Sequence, residues 1–191
     1  MSTAPLFPEV EGNATRLQAW LQAQLEGFGG VMEVERLHGG RSNPGWRLRT
    51  AHRDCVLRAR PGPRANLLPS AHAIEREFRV QRALAGSAVP VAAMHILCED
   101  EAIVGAGFYV MEFVDGDIFR EQSLPGLEPA QRAARYDAMN AGIAALHMLD
   151  VDALGLRDYG RSSQYFARQI DRWTRQYAAC RDGEITDMDK L

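Results

Sequence analysis

The stretch Phe108-Tyr109-Val110-Met111-Glu112-Phe113-Val114-Asp115-Gly116 divides the chain into two halves of different character. Before it, short strand-like runs are separated by turn residues and interrupted by one helical segment; after it, every periodic segment is helical. The stretch itself predicts the end of a strand running from Ala102 to Val114 and closed by the turn pair Asp115-Gly116. A strand end beside an apolar cleft presents backbone amides and carbonyls that can read the edge of a purine, with Val56 and Met111 enclosing the ring from the sheet side. The same residues also describe an ordinary buried strand leading into a turn, and both readings stand at this level.

Working outward, Val31 to Leu37, Trp46 to Thr50 and Cys55 to Ala59 predict three short strands in an antiparallel meander, the last two joined by the polar turn Ala51 to Asp54. Pro61 to Pro69 predicts a loop, and Ser70 is placed to cap a helix that runs to Ala85 and is closed by Gly86. Val89 to Cys98 predicts the fourth strand, joined to the fifth by Glu99-Asp100-Glu101. Near the start, Asn13 or Thr15 caps a helix with Leu17, Trp20, Leu21 and Leu25 at helical spacing, ended by Gly27 and Gly29-Gly30; it reads as an appended surface helix. Past the divide, Pro129 opens a helix with Ala133, Tyr136, Met139, Ile143 and Leu146 on one face, and a further stretch sets Phe166, Ile170, Trp173 and Tyr177 on a stripe. The expected organisation is an appended helix over 1–30, a sheet-bearing lobe over 31–115 and a partial helical lobe over 116–191. This is an α+β pattern. A five-stranded antiparallel sheet plus one inserted helix, followed by helices, fits a short list of folds, headed by a protein-kinase-like N-terminal lobe joined to the first helices of a helical C-terminal lobe.

With 191 residues, 46% of them apolar, the chain can bury one ordinary core or two small ones. A formal charge of −3 with dispersed arginines gives no basic footprint, so nucleic acid is not an expected partner. Cys55, Cys98 and Cys180 are odd in number and irregular in spacing, which fits neither a disulfide framework nor a paired zinc site and points to a reducing, cytoplasmic setting. Met1 to Val10 lacks the basic and apolar regions of a signal peptide. The longest apolar run, Ala102 to Val114, is too short to span a bilayer and contains Glu112, so no membrane partner is expected.

Three further features could carry chemistry. The loop Leu37-His38-Gly39-Gly40-Arg41-Ser42-Asn43 lies between two predicted strands; its glycines suit either a simple turn or a backbone that approaches phosphate closely. Strand alternation puts Val56 and Arg58 on one face, so Arg58 needs a partner if that face is enclosed. On the following helix, Ala73, Glu77, Val80 and Leu84 form one stripe, placing Glu77 in an apolar setting where a carboxylate is costly unless paired. An ion pair from Glu77 to Arg58 resolves this; a solvated Glu77 at the rim resolves it equally. Glu75 is the competing carboxylate, with Arg79 four residues on to satisfy it locally.

The motifs Gly39-Gly40-Arg41-Ser42-Asn43, Val56-Leu57-Arg58, Arg76-Glu77-Phe78-Arg79-Val80 with Ala83-Leu84, Val89-Pro90-Val91 and Tyr109 to Gly116, in this order, resemble the aminoglycoside phosphotransferase-like family, which includes choline and homoserine kinases. Leu67-Leu68-Pro69-Ser70-Ala71-His72, Leu156 to Gly160 and Tyr165 to Ile170 are most similar to the kinase-like part of certain acyl-CoA dehydrogenase family members. The resemblance implies ATP as cofactor. It puts Gly40, Ser42 and Asn43 in the phosphate loop, Arg58 in the place of the strand cation that is lysine in many relatives, and Glu77 as its anchor. It gives the adenine edge to the Glu112 carbonyl and the Val114 amide. Arginine can grip phosphate bidentately, so nucleotide binding is compatible with the exchange, although the phosphate geometry must differ from that of a lysine.

Phosphoryl transfer also needs a group that orients the acceptor hydroxyl and carboxylates that hold magnesium. The family supplies these from a His-Gly-Asp loop and a later Asp, and no His-Gly-Asp occurs in this sequence. His147, with Asp150 three residues on, lacks the glycine turn and reads as a packing or dipole contact; Asp187-Met188-Asp189 reads as a solvated pair. No catalytic residue and no metal ligand is therefore assigned, and Mg2+ is expected for a complete family enzyme only. The expected activity is the nucleotide-binding portion of an ATP-dependent small-molecule O-phosphotransferase, catalytically incomplete as it stands, with a hydroxyacyl-CoA as a candidate acceptor. The alternative is a non-catalytic kinase-like module that associates, as a homo-oligomer or with another protein, through exposed C-lobe helices.

Overall fold

Nine elements follow one another as α1 (Ala14–Gln24), β1 (Glu33–Leu37), β2 (Gly45–Arg49), β3 (Asp54–Ala59), α2 (Ile74–Leu84), β4 (Met94–Cys98), β5 (Phe108–Glu112), α3 (Pro129–His147) and α4 (Tyr165–Cys180) among the described residues. The computed structural model describes residues 8–38, 43–62, 72–160 and 163–180. Gly40, Ser42, Ser70 and Asp187 to Leu191 lie outside them.

The five strands form one antiparallel sheet in the order β1-β2-β3-β5-β4, so the expected α+β lobe with one inserted helix is what the chain builds. Register places Trp46 opposite Leu57 and Leu57 opposite Val110, and in the alternate set Val56 opposite Met111 and Arg58 opposite Tyr109. Because side chains alternate along a strand, these two sets line opposite faces of the sheet. The first face carries the larger core: Trp46, Leu48, Cys55, Leu57, Phe108 and Val110 pack with Val10, Leu17, Leu21 and Phe28. Helix α1 is thus the cover of a sheet face rather than a surface appendage. Leu17 and Leu21 are fully buried, and Trp20 meets Phe108 edge to face with centroids 5.4 Å apart. On the second face, α2 lays Ile74 and Phe78 against Tyr109, flanked by Met94, Leu97 and Met111.

Two predicted strands are shorter than the apolar runs that suggested them. β4 starts at Met94 rather than Val89, in keeping with Pro90, which has no N–H to give a ladder. β5 starts at Phe108 rather than Ala102. Residues 102–107 instead turn back: Gly105 sits at φ +86°, Val104 and Ala106 are buried, and the Val104 carbonyl accepts from the Glu9 N–H at 3.0 Å. That part of the run is apolar because it closes the core beneath α1, with no pairing partner needed. The buried stripe of α2 is also displaced, to Ile74, Phe78 and Leu84, which moves Glu77 to the flank of the contact with the sheet. Gly86 closes the helix at φ +80°, a left-handed conformation suited to glycine.

Pro129 opens α3 as expected, and the Glu128 N–H donates to Gln131 Oε1 at 2.9 Å across the first turn. The segment between α3 and α4 is fastened to α2. Arg76 lies 4.2 Å over the Tyr159 ring and donates to the Tyr159 carbonyl, while Arg79 pairs with Asp158 and donates to the Gly155 carbonyl. The apolar faces of the last two helices stay open: Tyr136, Met139, Ile143 and Leu146 on α3, and Phe166, Ile170 and Trp173 on α4, are between 45% and 80% exposed. Among the described residues no helix is long and apolar enough to cross a membrane.

Candidate functional site

A cleft of about 530 Å³ opens on the second face of the sheet, between the β1–β2 connection and the segment that follows β5. Val56, Ala92, Met111, Val114 and Ile118 give it an apolar end, and Arg58 gives it a cationic one, with His38 on the same rim. Strand geometry sets the spacing between the two ends. Val56 and Arg58 are two residues apart on β3, or roughly 7 Å.

Glu77 gathers the polar groups behind the cleft. Arg58 Nε approaches Glu77 Oε2 to 3.0 Å, with both side chains about a third exposed. The Nε–H is not aligned along this contact, so it is an ion pair without a well-directed hydrogen bond. The Tyr109 hydroxyl donates to the same oxygen at 3.0 Å, and Asn43 Nδ2 donates to Glu77 Oε1 at 2.7 Å. Burial, then the adjacent Glu77 charge, pushes the Tyr109 phenol up to about 12. Glu75, in contrast, pairs with Arg60 at 2.7 Å, not with Arg79. Burial pushes its carboxyl up, but the Arg60 hydrogen bond, its own backbone N–H and the charges of Arg60 and Arg76 together outweigh that, and it lies below its ordinary value.

The start of the post-β5 segment is tethered to the neighbouring strands. The Glu112 N–H donates to the Ala93 carbonyl at 2.8 Å, and the Glu112 carboxylate accepts from the Ala93 N–H at 3.1 Å. The Phe113 N–H donates to the Asp54 carbonyl, and the Arg47 guanidinium lies 3.7 Å over the Phe113 ring while bonding both oxygens of Asp54. That hydrogen-bonded pair holds the Asp54 carboxyl below, and the Arg47 guanidinium above, its usual range.

Of the residues singled out from the sequence, Asn43, Val56, Arg58, Met111, Glu112 and Val114 line this one cleft, and Glu77 stands behind Arg58. Gly40 and Ser42 fall outside the described residues. The Asn43 side chain bonds Glu77, and its Oδ1 lies 2.9 Å from His72 Nδ1. His72, Tyr109 and Arg47 were not picked out. Tyr109 was findable, since pairing β3 with β5 puts it opposite Arg58; nothing in sequence spacing points to His72. His147 ends α3 exposed to solvent, and Asp150 accepts from the Asp152 and Ala153 N–H groups in a local turn.

Residues 33–191 match the sequence model of the Phosphotransferase enzyme family. The chain belongs to that family. Among curated proteins, it is 46% identical over 162 residues to acyl-CoA dehydrogenase family member 10 of Mus musculus, covering 85% of this chain and 15% of that protein. It is 41% identical over 193 residues to acyl-CoA dehydrogenase family member 11 of Rattus norvegicus, covering 99% and 24% respectively. A crystal structure from Ralstonia eutropha, provisionally named an aminoglycoside phosphotransferase, superposes with a TM-score of 0.74 at 49% identity and covers 92% of this chain and 50% of its own. The chain therefore spans about a quarter or less of these curated relatives and half of the solved one. Its kinase-like fold is that of the solved structure.

Proposed function

We propose that the cleft binds ATP and that the chain supplies the nucleotide-binding portion of a small-molecule O-phosphotransferase. The observation that carries this is the Arg58–Glu77 pair set one strand step from the apolar slot formed by Val56 and Met111. A purine fits the apolar end, and the phosphates then reach Arg58, whose charge the partly exposed Glu77 locates without burying. His38 at the same end adds hydrogen-bonding capacity. A volume of about 530 Å³ lies within the common range of ligand clefts. Among the described residues no three His, Cys, Asp or Glu side chains come together to hold a cation, and the proposal concerns the nucleotide alone.

Calorimetric titration with ATP and ADP tests the proposal. Arg58→Ala removes a charge-assisted contact and weakens ATP binding about 10- to 100-fold. Undetectable nucleotide heat at millimolar concentration in the unaltered protein refutes it. A hydroxyacyl-CoA is the acceptor class that the relatives' names favour, with magnesium supplied as in complete family enzymes.

The exposed apolar faces of α3 and α4 favour a second reading, association through those helices. Sedimentation at rising concentration separates the two: self-association that Trp173→Ser abolishes supports it, and a monomer throughout removes it.

A further inference from the structure

We infer that Asn43 and His72 are positioning residues that set the Glu77 carboxylate, and through it the Arg58 guanidinium, for the phosphates of a bound nucleotide. The inference rests on the nucleotide reading above and gives Asn43 a role other than phosphate contact. Asn43 is 3% exposed, and a buried side-chain amide is costly unless its polar atoms are bonded. Its orientation follows from its neighbours. An ionised carboxylate only accepts hydrogen bonds, so the group facing Glu77 Oε1 at 2.7 Å must be the amide nitrogen. The amide oxygen then faces His72, 2.9 Å from Nδ1. That oxygen also only accepts, so His72 Nδ1 must carry hydrogen. The result is a directed chain from His72 Nδ1–H to Asn43 Oδ1, and from Asn43 Nδ2–H to Glu77 Oε1.

This chain divides the work of the two Glu77 oxygens. Oε1 is held by Asn43, which leaves Oε2 for the Tyr109 hydroxyl and Arg58 Nε, each 3.0 Å away. With Oε1 released, the carboxylate can rotate about its last torsion, and Oε2 no longer has one fixed place. Arg58 is sensitive to that loss because its contact with Oε2 is not an aligned hydrogen bond. The network joins Tyr109 on β5, Glu77 on α2, Asn43 at the end of the glycine loop and His72 two residues ahead of α2, so the cation is positioned from four places in the chain.

The experiment compares calorimetric affinities for ATP and for adenosine, which lacks phosphates, in the unaltered chain and in His72→Leu, His72→Asn and Asn43→Ala. His72 is only partly buried, so its variants retain the fold if Asn43→Ala does not. His72→Leu is expected to weaken ATP binding about tenfold while adenosine affinity stays within about twofold, since one hydrogen bond to the network is lost. His72→Asn, which can place an N–H where Nδ1 stood, is expected to restore most of the loss. Equal ATP affinity in His72→Leu and the unaltered chain overturns the inference alone. Equal loss of ATP and adenosine binding also overturns it, because it marks a general structural effect, and so does a failure of His72→Asn to rescue. Absence of ATP binding in the unaltered chain overturns the nucleotide reading and this inference together.

Discussion

Tyr109→Phe removes one oxygen atom from a fully packed position, and its effect on stability is expected to change with pH. The hydroxyl donates to Glu77 Oε2 at 3.0 Å from a residue that is 1% exposed. Glu77 retains Asn43 and Arg58 and is about a third exposed, so solvent screening brings the cost of the lost bond to about 1 kcal/mol near neutral pH, below the usual range for a charged acceptor. The phenol titrates near 10 when unfolded and at about 12 when folded. Below pH 10 it is protonated in both states. Above that, the unfolded chain releases a proton that the folded chain retains, so the native protein loses stability as pH rises. One pH unit into this window the loss is about 1 kcal/mol, and it grows to about 2 kcal/mol by pH 12. The phenylalanine variant lacks this dependence. Urea unfolding of both proteins from pH 8 to 11 is expected to show a gap of about 1 kcal/mol that closes to roughly zero at the upper end. Ultraviolet titration of the five tyrosines in the chain should find one that ionises later than the rest. A gap that stays constant with pH would refute the placement of Tyr109 against a charged Glu77.

Leu21→Ala is expected to cost about 2–5 kcal/mol in urea unfolding, because the side chain is fully buried in the core beneath α1; a loss below 1 kcal/mol would mean that α1 is not docked. The Asp54 carboxyl is held below its usual value by Arg47, so its contribution is present above about pH 4 and disappears as pH falls through the lowered value. Asp54→Asn should therefore lie below the unaltered protein in stability at pH 7 and converge with it in acid, as followed by tryptophan fluorescence.

Most of the strand order could be read before any coordinates, because alternation and turn residues are local signals. The face shared by Val56 and Arg58 follows from strand geometry alone, whereas their pairing with Met111 and Tyr109 needed both the adjacency of β3 and β5 and their register. Burial was harder to read where an apolar residue had a use other than pairing. Val104 and Ala106 looked like strand because they are apolar, yet they close a core from a turn. Leu17 and Leu21 looked like one side of a modest surface helix because nothing local tells which surface will cover them. The Asn43–His72 contact spans 29 residues and no strand or helix period relates the two, and its meaning depends on a carboxylate reached from a third segment.

Helix α1 also affects where a working piece of this protein can be cut. The family match begins at residue 33, which a cloning scheme would take as the domain edge. Val10, Leu17, Leu21 and Phe28 all lie ahead of that edge, and all pack on the same sheet face as Trp46, Leu57 and Val110. A fragment begun at the edge of the match would keep every cleft-lining residue and expose an oily sheet surface behind them. Loss of ligand binding in such a fragment would reflect collapse or clumping from the uncovered side, and would say nothing about the chemistry of the cleft.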